Sequence, residues 1–155
     1  ALLGIEAVEA KAMKEMVPQP GLVELMKHLS LNNVSKSVLT RNLLPPVTHL
    51  ITTFIPEEYR HFDHIVTREF KPPKPSPEPL LHIARLLSLR PEQLMMVGDS
   101  HDDMKSGRHA GCTTVLLRNS INSSLLEDPS HLPLVDIIVD DLSEIIPLIS
   151  LADTE

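Results

Sequence analysis

The segment Met95-Met96-Val97-Gly98-Asp99-Ser100-His101-Asp102-Asp103-Met104-Lys105-Ser106-Gly107-Arg108-His109-Ala110-Gly111 constrains the fold more than any other part of the chain. An apolar run stops at a glycine, and two carboxylates follow four residues apart. A stretch rich in small residues then closes on another glycine. The pattern predicts a buried strand, an acidic loop and a helix, with Gly111 suited to the left-handed residue that ends the helix. In open α/β sheets ligands sit at the carboxyl ends of the strands, and hard cations such as Mg2+ take oxygen ligands. Asp99, just past the strand, and Asp103, one turn into the helix, are therefore candidate metal ligands. Gly107 and Ala110 continue the Asp103 face with little bulk, which suits close packing on the sheet. An acidic first turn also complements the helix dipole, a purely structural use of the same residues. Asp102 lies one residue off that face and is expected to be solvated.

The rest of the chain alternates helical and strand-like patterns. Residues 5–16 read as a helix ended by Pro18 and Pro20, and Gly21–Ser30 places Leu22, Leu25, Met26 and Leu29 at helical spacing. Ser37–Thr40 reads as a short buried strand. A helix starts near Pro45-Pro46, since proline suits a first turn, and covers Leu50–Phe54. His64–Thr67 reads as the next strand. Lys71–Pro79 is the densest proline stretch, with Ser76 as a helix cap and Pro77 at the first helical position. Leu80, Ile83, Ala84 and Leu87 line one helix face, and strands follow at Leu94–Val97, Thr113–Leu117 and Asp136–Val139. Residues 118–134 are polar with one short helical piece, and Leu142–Leu151 forms a last helix. Strands alternating with helices predict an α/β fold: a three-layer, Rossmann-like parallel sheet with helices on both faces.

Two further loops offer chemistry. Lys74 is framed by Pro73 and Pro75, which restrict the backbone on both sides. A lysine held just before a helix can set an ammonium on a phosphate as a point charge; a solvent-facing lysine in a proline turn is the plainer reading, and Lys71 competes for the role. Thr40 follows a buried strand directly, so its hydroxyl can donate to a bound oxyanion or simply close a turn. Arg41 and Asn42 add donors. His61 and His64 flank Asp63, but nothing in the sequence completes a zinc set around them. His101 lies in the acidic loop within reach of a substrate, and Asp140-Asp141 reads as a helix cap.

The order strand-Thr40, proline-framed Lys74, then Gly-Asp99-x-x-x-Asp103 resembles the haloacid dehalogenase superfamily of phosphohydrolases. The wording TRN, KPPKPSPEPLL and MMVGDSHDDMKSGRHAG is similar to its phosphoglycolate-phosphatase-like members, over about residues 20–149. The resemblance implies that Thr40 and Lys74 serve catalysis, that Thr40, Arg41, Asn42 and Lys74 bind a phosphorylated substrate, and that Asp99 and Asp103 hold Mg2+. It also implies an Asp-x-Asp after an N-terminal central strand, whose first aspartate attacks phosphorus. No two aspartates of this sequence are separated by two. The expectation is thus an incomplete core over 21–155 without its central strand. Residues 1–20 are expected to be a remnant of a small helical cap or linker. On this reading the chain is a fragment of a Mg2+-dependent phosphatase, inactive alone. A non-catalytic phosphate- or metal-binding protein, or regulator, is the alternative from another class, and a sugar phosphomutase or dehalogenase is a third.

Composition narrows the field. A formal charge of −7 carries no electrostatic footprint for nucleic acid, and no apolar run is long enough to span a membrane. The single cysteine, Cys112, excludes an internal disulfide framework and suits a reducing compartment, cytoplasmic by default; its place at the head of an apolar run predicts a buried spectator thiol. The expected partner is a small phosphorylated metabolite, neither nucleic acid nor membrane.

Overall fold

The computed structural model describes residues 4–8 and 19–153. Six strands and five α-helices alternate along it: β1 (Gly4–Val8), α1 (Leu22–Leu31), β2 (Ser37–Leu39), α2 (Leu44–Phe54), β3 (His64–Val66), α3 (Glu78–Leu87), β4 (Leu94–Gly98), α4 (His101–Ala110), β5 (Thr113–Leu117), β6 (Ile137–Val139) and α5 (Ile146–Asp153). Four strands pair in the order β1-β4-β5-β6 and two more as β2-β3, every pair parallel. β2 lies beside β1.

Strand β4 is the axis of the molecule. All five of its residues are buried, the continuous apolar run expected of a parallel strand covered on both faces. Its side chains alternate between two cores. Met95 and Val97 join Leu25, Met26, Leu29, Val47, Ile51 and Leu142 on the face covered by α1 and α2. Leu94 and Met96 join Leu80, Ile83, Ala84 and Ala110 on the face covered by α3 and α4. These two clusters make the three layers that the alternating pattern predicts.

The N-terminal expectation fails at one point. The helix expected over 5–16 begins instead as strand β1, with Ile5 level with Met95 and Val8 level with Val97. The central place expected to be vacant is therefore filled. Ile5 and Val8 suggest helical spacing, but an unpaired edge in the middle of a sheet is costly, and tertiary context overrides so short a pattern. Residues 9–18, the remainder of that helix, lie outside the described residues.

Other expectations need only small adjustment. Ser76 Oγ accepts from the Glu78 amide at 3.2 Å, and α3 starts one residue beyond Pro77. The polar segment holds two short 3-10 turns, Ser123–Glu127 and Leu132–Leu134. The last helix opens with a 3-10 turn at Leu142–Ile145, capped by Asp141, whose Oδ1 accepts from the Ser143 amide at 2.8 Å. Asp140 pairs instead with Arg118 at 2.7 and 2.8 Å, which holds its carboxyl below the usual range. Gly111 closes α4 at φ 90, the left-handed conformation anticipated for it. Cys112 is buried. None of the described helices is long and apolar enough to cross a membrane.

Truncating Met96, fully buried between α3, α4 and the sheet, is expected to lower stability by about 2 to 5 kcal/mol. Urea unfolding of Met96→Ala measures this.

Candidate functional site

The loop between β4 and α4 is built around Asp103. Ser100 caps α4, its Oγ accepting from the Asp103 amide at 3.1 Å. Asp103 reaches back, and its Oδ2 accepts from the amides of Ser100 at 3.2 Å and Asp99 at 3.1 Å. This is a reciprocal capping box, legible in the spacing Ser-x-x-Asp. The structural use of the acid as a helix cap and its place in a candidate site coincide. A Cβ at Gly98 would overlap the Asp103 carboxylate, so the strand must end on glycine for the acid to fold back. On the same helix, Gly107 packs against Met96 and Thr114, as its small-residue face suggests.

Lys74 completes this node. Its Nζ donates to Asp103 Oδ1 at 2.7 Å, and both side chains are buried. Lys71 is exposed and stands outside this node. The turn carrying Lys74 is latched to α4 by Ser106 Oγ, which donates to the Ser76 carbonyl at 2.6 Å. A buried ion pair holds only with good geometry and further hydrogen bonds to offset desolvation. The two amides on Asp103 supply those bonds.

Arg41 ties three loops together. Its guanidinium donates to the Lys74 carbonyl at 3.0 Å and pairs with Asp102, beside Asp103. Asp102, expected to be simply solvated, is thus the anchor of an ion pair. Because Arg41 follows β2 and Asp102 follows β4, the carboxyl ends of these strands share one edge of the fold. Thr40 is buried there, and its Oγ1 accepts from the Asn42 amide at 3.0 Å while its own amide donates to the Val66 carbonyl at 2.9 Å. The hydroxyl oxygen therefore closes a turn. Asn42 accepts from the Arg68 amide at 3.3 Å. Lys74, Asp103, Asp99 and Arg41 are joined by direct bonds. Thr40 and Asn42 stand at the same edge through β2.

Two contributors escape a sequence reading. Asn122, from the loop after β5, donates to the Asp99 carbonyl at 2.8 Å, and His131 lies against His101 with Nδ1 atoms 2.9 Å apart. The spacing Asn119-x-x-Asn122 signals a turn but not its target. Nothing in the sequence links His131 to His101 across 30 residues. A cavity of about 380 Å³ opens beside Asp99, lined by His101, Asp102, Ile121, Asn122 and Leu125 among others. Burial, followed by the neighbouring His101, pushes His131 below its usual range, with Asp128 opposing. His61 approaches Asp63 at 3.6 Å, while Asp63 Oδ2 accepts from the Lys36 amide. Among the described residues no group of three or more histidines, cysteines or acids gathers as a metal cluster.

An open parallel α/β sheet with acids and a buried lysine at its carboxyl edge belongs to the architectures that bind ligands at that edge. The family model "Haloacid dehalogenase-like hydrolase" matches residues 4–117. This chain belongs to that hydrolase family. It is 61% identical over 145 residues to an uncharacterized hydrolase of Saccharomyces cerevisiae, covering 94% of this chain and 66% of the relative. It is 28% identical over 140 residues to the phosphoglycolate phosphatase of Salmonella choleraesuis, covering 88% of this chain and 52% of that protein. The chain thus spans from about half to just under two thirds of these two relatives. A solved structure described as a predicted phosphoglycolate phosphatase from Haemophilus somnus superposes with a TM-score of 0.69 at 22% identity. That match covers 87% of this chain and 60% of that one, and it bears out the fold.

Removing Lys74 would leave the buried Asp103 carboxylate without its ammonium. Lys74→Ala is expected to destabilise by about 3 to 5 kcal/mol, and urea unfolding checks it. For His131 the unfolded chain takes up the proton first, so stability falls as pH drops below about 6.5. Replacing it in His131→Asn should flatten that fall, seen as a weaker dependence of Tm on pH between about 5 and 6.5.

Proposed function

We propose that this chain carries the phosphate- and metal-holding part of a hydrolase centre for small phosphate monoesters. The observation that carries the reading is the buried ammonium of Lys74, set on Asp103 next to Asp99 at the carboxyl edge of β4. An ammonium kept out of water interacts strongly with an anion that reaches it. In this reading Lys74 and the Thr40 hydroxyl bind phosphoryl oxygens. Arg41, already engaged with Asp102 and the Lys74 carbonyl, supports the Lys74 turn, and Asn42 lines the same edge.

The donor chemistry fits Mg2+. Asp99 and Asp103 offer hard carboxylate oxygens from one strand–helix junction, and such an ion completes its shell with water and substrate phosphate. Asp99 is the direct ligand in this reading, because Asp103 is committed to Lys74 and two amides. When bound, the ion neutralises charge on the phosphoryl oxygens.

The sequence holds no Asp-x-Asp pair to supply an aspartyl nucleophile, and β1 fills the central place where the resemblance expects one. In an intact protein that supplies such a pair, the first aspartate would attack phosphorus, the ester oxygen would leave with a proton from the second, and water would hydrolyse the acyl phosphate. The same absence favours a second reading, binding of phosphate and metal without chemistry.

The pure 155-residue chain is expected to bind inorganic phosphate and Mg2+ in calorimetry and to leave p-nitrophenyl phosphate intact. Asp99→Asn should weaken Mg2+ binding at least tenfold (about the scale of losing a ligand or its support). Unchanged Mg2+ binding in that variant would overturn the reading.

A further inference from the structure

Asn122 stands outside every motif at the site, yet from the loop after β5 it reaches the end of β4. It is almost fully buried. Its Nδ2 donates to two carbonyls at 2.8 Å, those of Leu117 at the end of β5 and Asp99 at the end of β4. Its Oδ1 accepts from the Asn119 amide at 2.8 Å. Asn119 returns the contact, its Oδ1 accepting from the amides of Ile121 at 2.9 Å and Asn122 at 2.8 Å. The pair of asparagines makes a closed turn whose side-chain bonds outward run to the ends of β5 and β4, at Leu117 and Asp99.

The consequence for Asp99 is specific. Its amide donates to Asp103 Oδ2 and its carbonyl accepts from Asn122 Nδ2. Both backbone polar groups of the residue are thus held by side chains from different loops. Backbone held at both ends restricts the direction in which the Asp99 side chain leaves the strand. A mobile loop alone would not do this.

We infer that Asn122 is a positioning residue for Asp99, fixing its peptide so that the carboxylate is pre-aimed for a divalent cation. The inference rests on the reading that Asp99 is a metal ligand. It adds a residue to that site and ties the loop that walls the neighbouring cavity to metal binding. Partners that orient ligands are worth about 10- to 100-fold in metal affinity.

The test compares Asn122→Ala and Asn119→Ala with the parent chain. Asn119→Ala loosens the turn but leaves the Asn122 amide able to reach Asp99. Mg2+ affinity should fall about tenfold in Asn122→Ala and stay within twofold of the parent in Asn119→Ala, while both lower Tm. Hydrogen exchange at the Asp99 and Ser100 amides should accelerate in the first variant and not in the second. Equal affinities in Asn122→Ala and the parent, with only Tm lowered, would overturn the inference alone. Asp99→Asn with parental affinity would overturn the metal reading, and this inference with it. Should Asn122→Ala not fold, the parent decides: slow exchange of the Asn122 side-chain amide protons is expected, and rapid exchange would overturn the positioning.

Discussion

The Lys74–Asp103 pair is the constraint on which the rest of the site depends. Burying a lysine and an aspartate is expensive, and backbone amides on the Asp103 carboxylate help to offset it. Asp103 caps α4, receives the Asp99 and Ser100 amides and binds the ammonium. Moving it would disturb a helix start, a strand end and the proline turn together. That shared dependence explains why Gly98 has no room for a side chain and why Ser106 and Arg41 both grip the turn that carries Lys74.

A second buried lysine shows what makes this node different. Lys36 is also buried, donating to Ser30 Oγ and the Tyr59 carbonyl, and burial lowers its pKa against the opposing Asp63. It precedes β2, at the amino edge of the sheet. There its amine knits α1 to the segment before β3. Lys74 lies at the carboxyl edge, where helix α4 begins and a cavity opens. The two buried lysines thus occupy opposite edges of the sheet, and ligands of open α/β folds collect at the strand carboxyl ends, where Lys74 stands.

The two faces of β4 show how the core serves this edge. Met95 and Val97 are gripped by one layer, Leu94 and Met96 by the other, so the strand cannot slip without moving an apolar side chain to the wrong face. Its end at Gly98 is consequently fixed in space. The capping box and the asparagine turn only have to refine a position that hydrophobic packing has already set.

How much of this was legible beforehand follows from the range of each interaction. Local chemistry spoke plainly. The Gly-Asp-Ser-x-x-Asp junction, the left-handed Gly111, the helix starts near Pro45 and Pro77 and the buried strand β4 all follow from contacts within a few residues, and the sequence alone determined them. So did the family, because the motifs keep their order. Contacts across long separations belonged to the tertiary structure. It brought Arg41 to Asp102, His131 to His101 and Asn122 to Asp99, and it buried Lys74 while leaving Lys71 exposed. It also made a strand of Gly4–Val8, where local spacing suggested a helix, because β4 offered an open edge. Spacing encodes what a residue does to its neighbours along the chain. Only packing decides which distant polar groups must satisfy one another once water is gone.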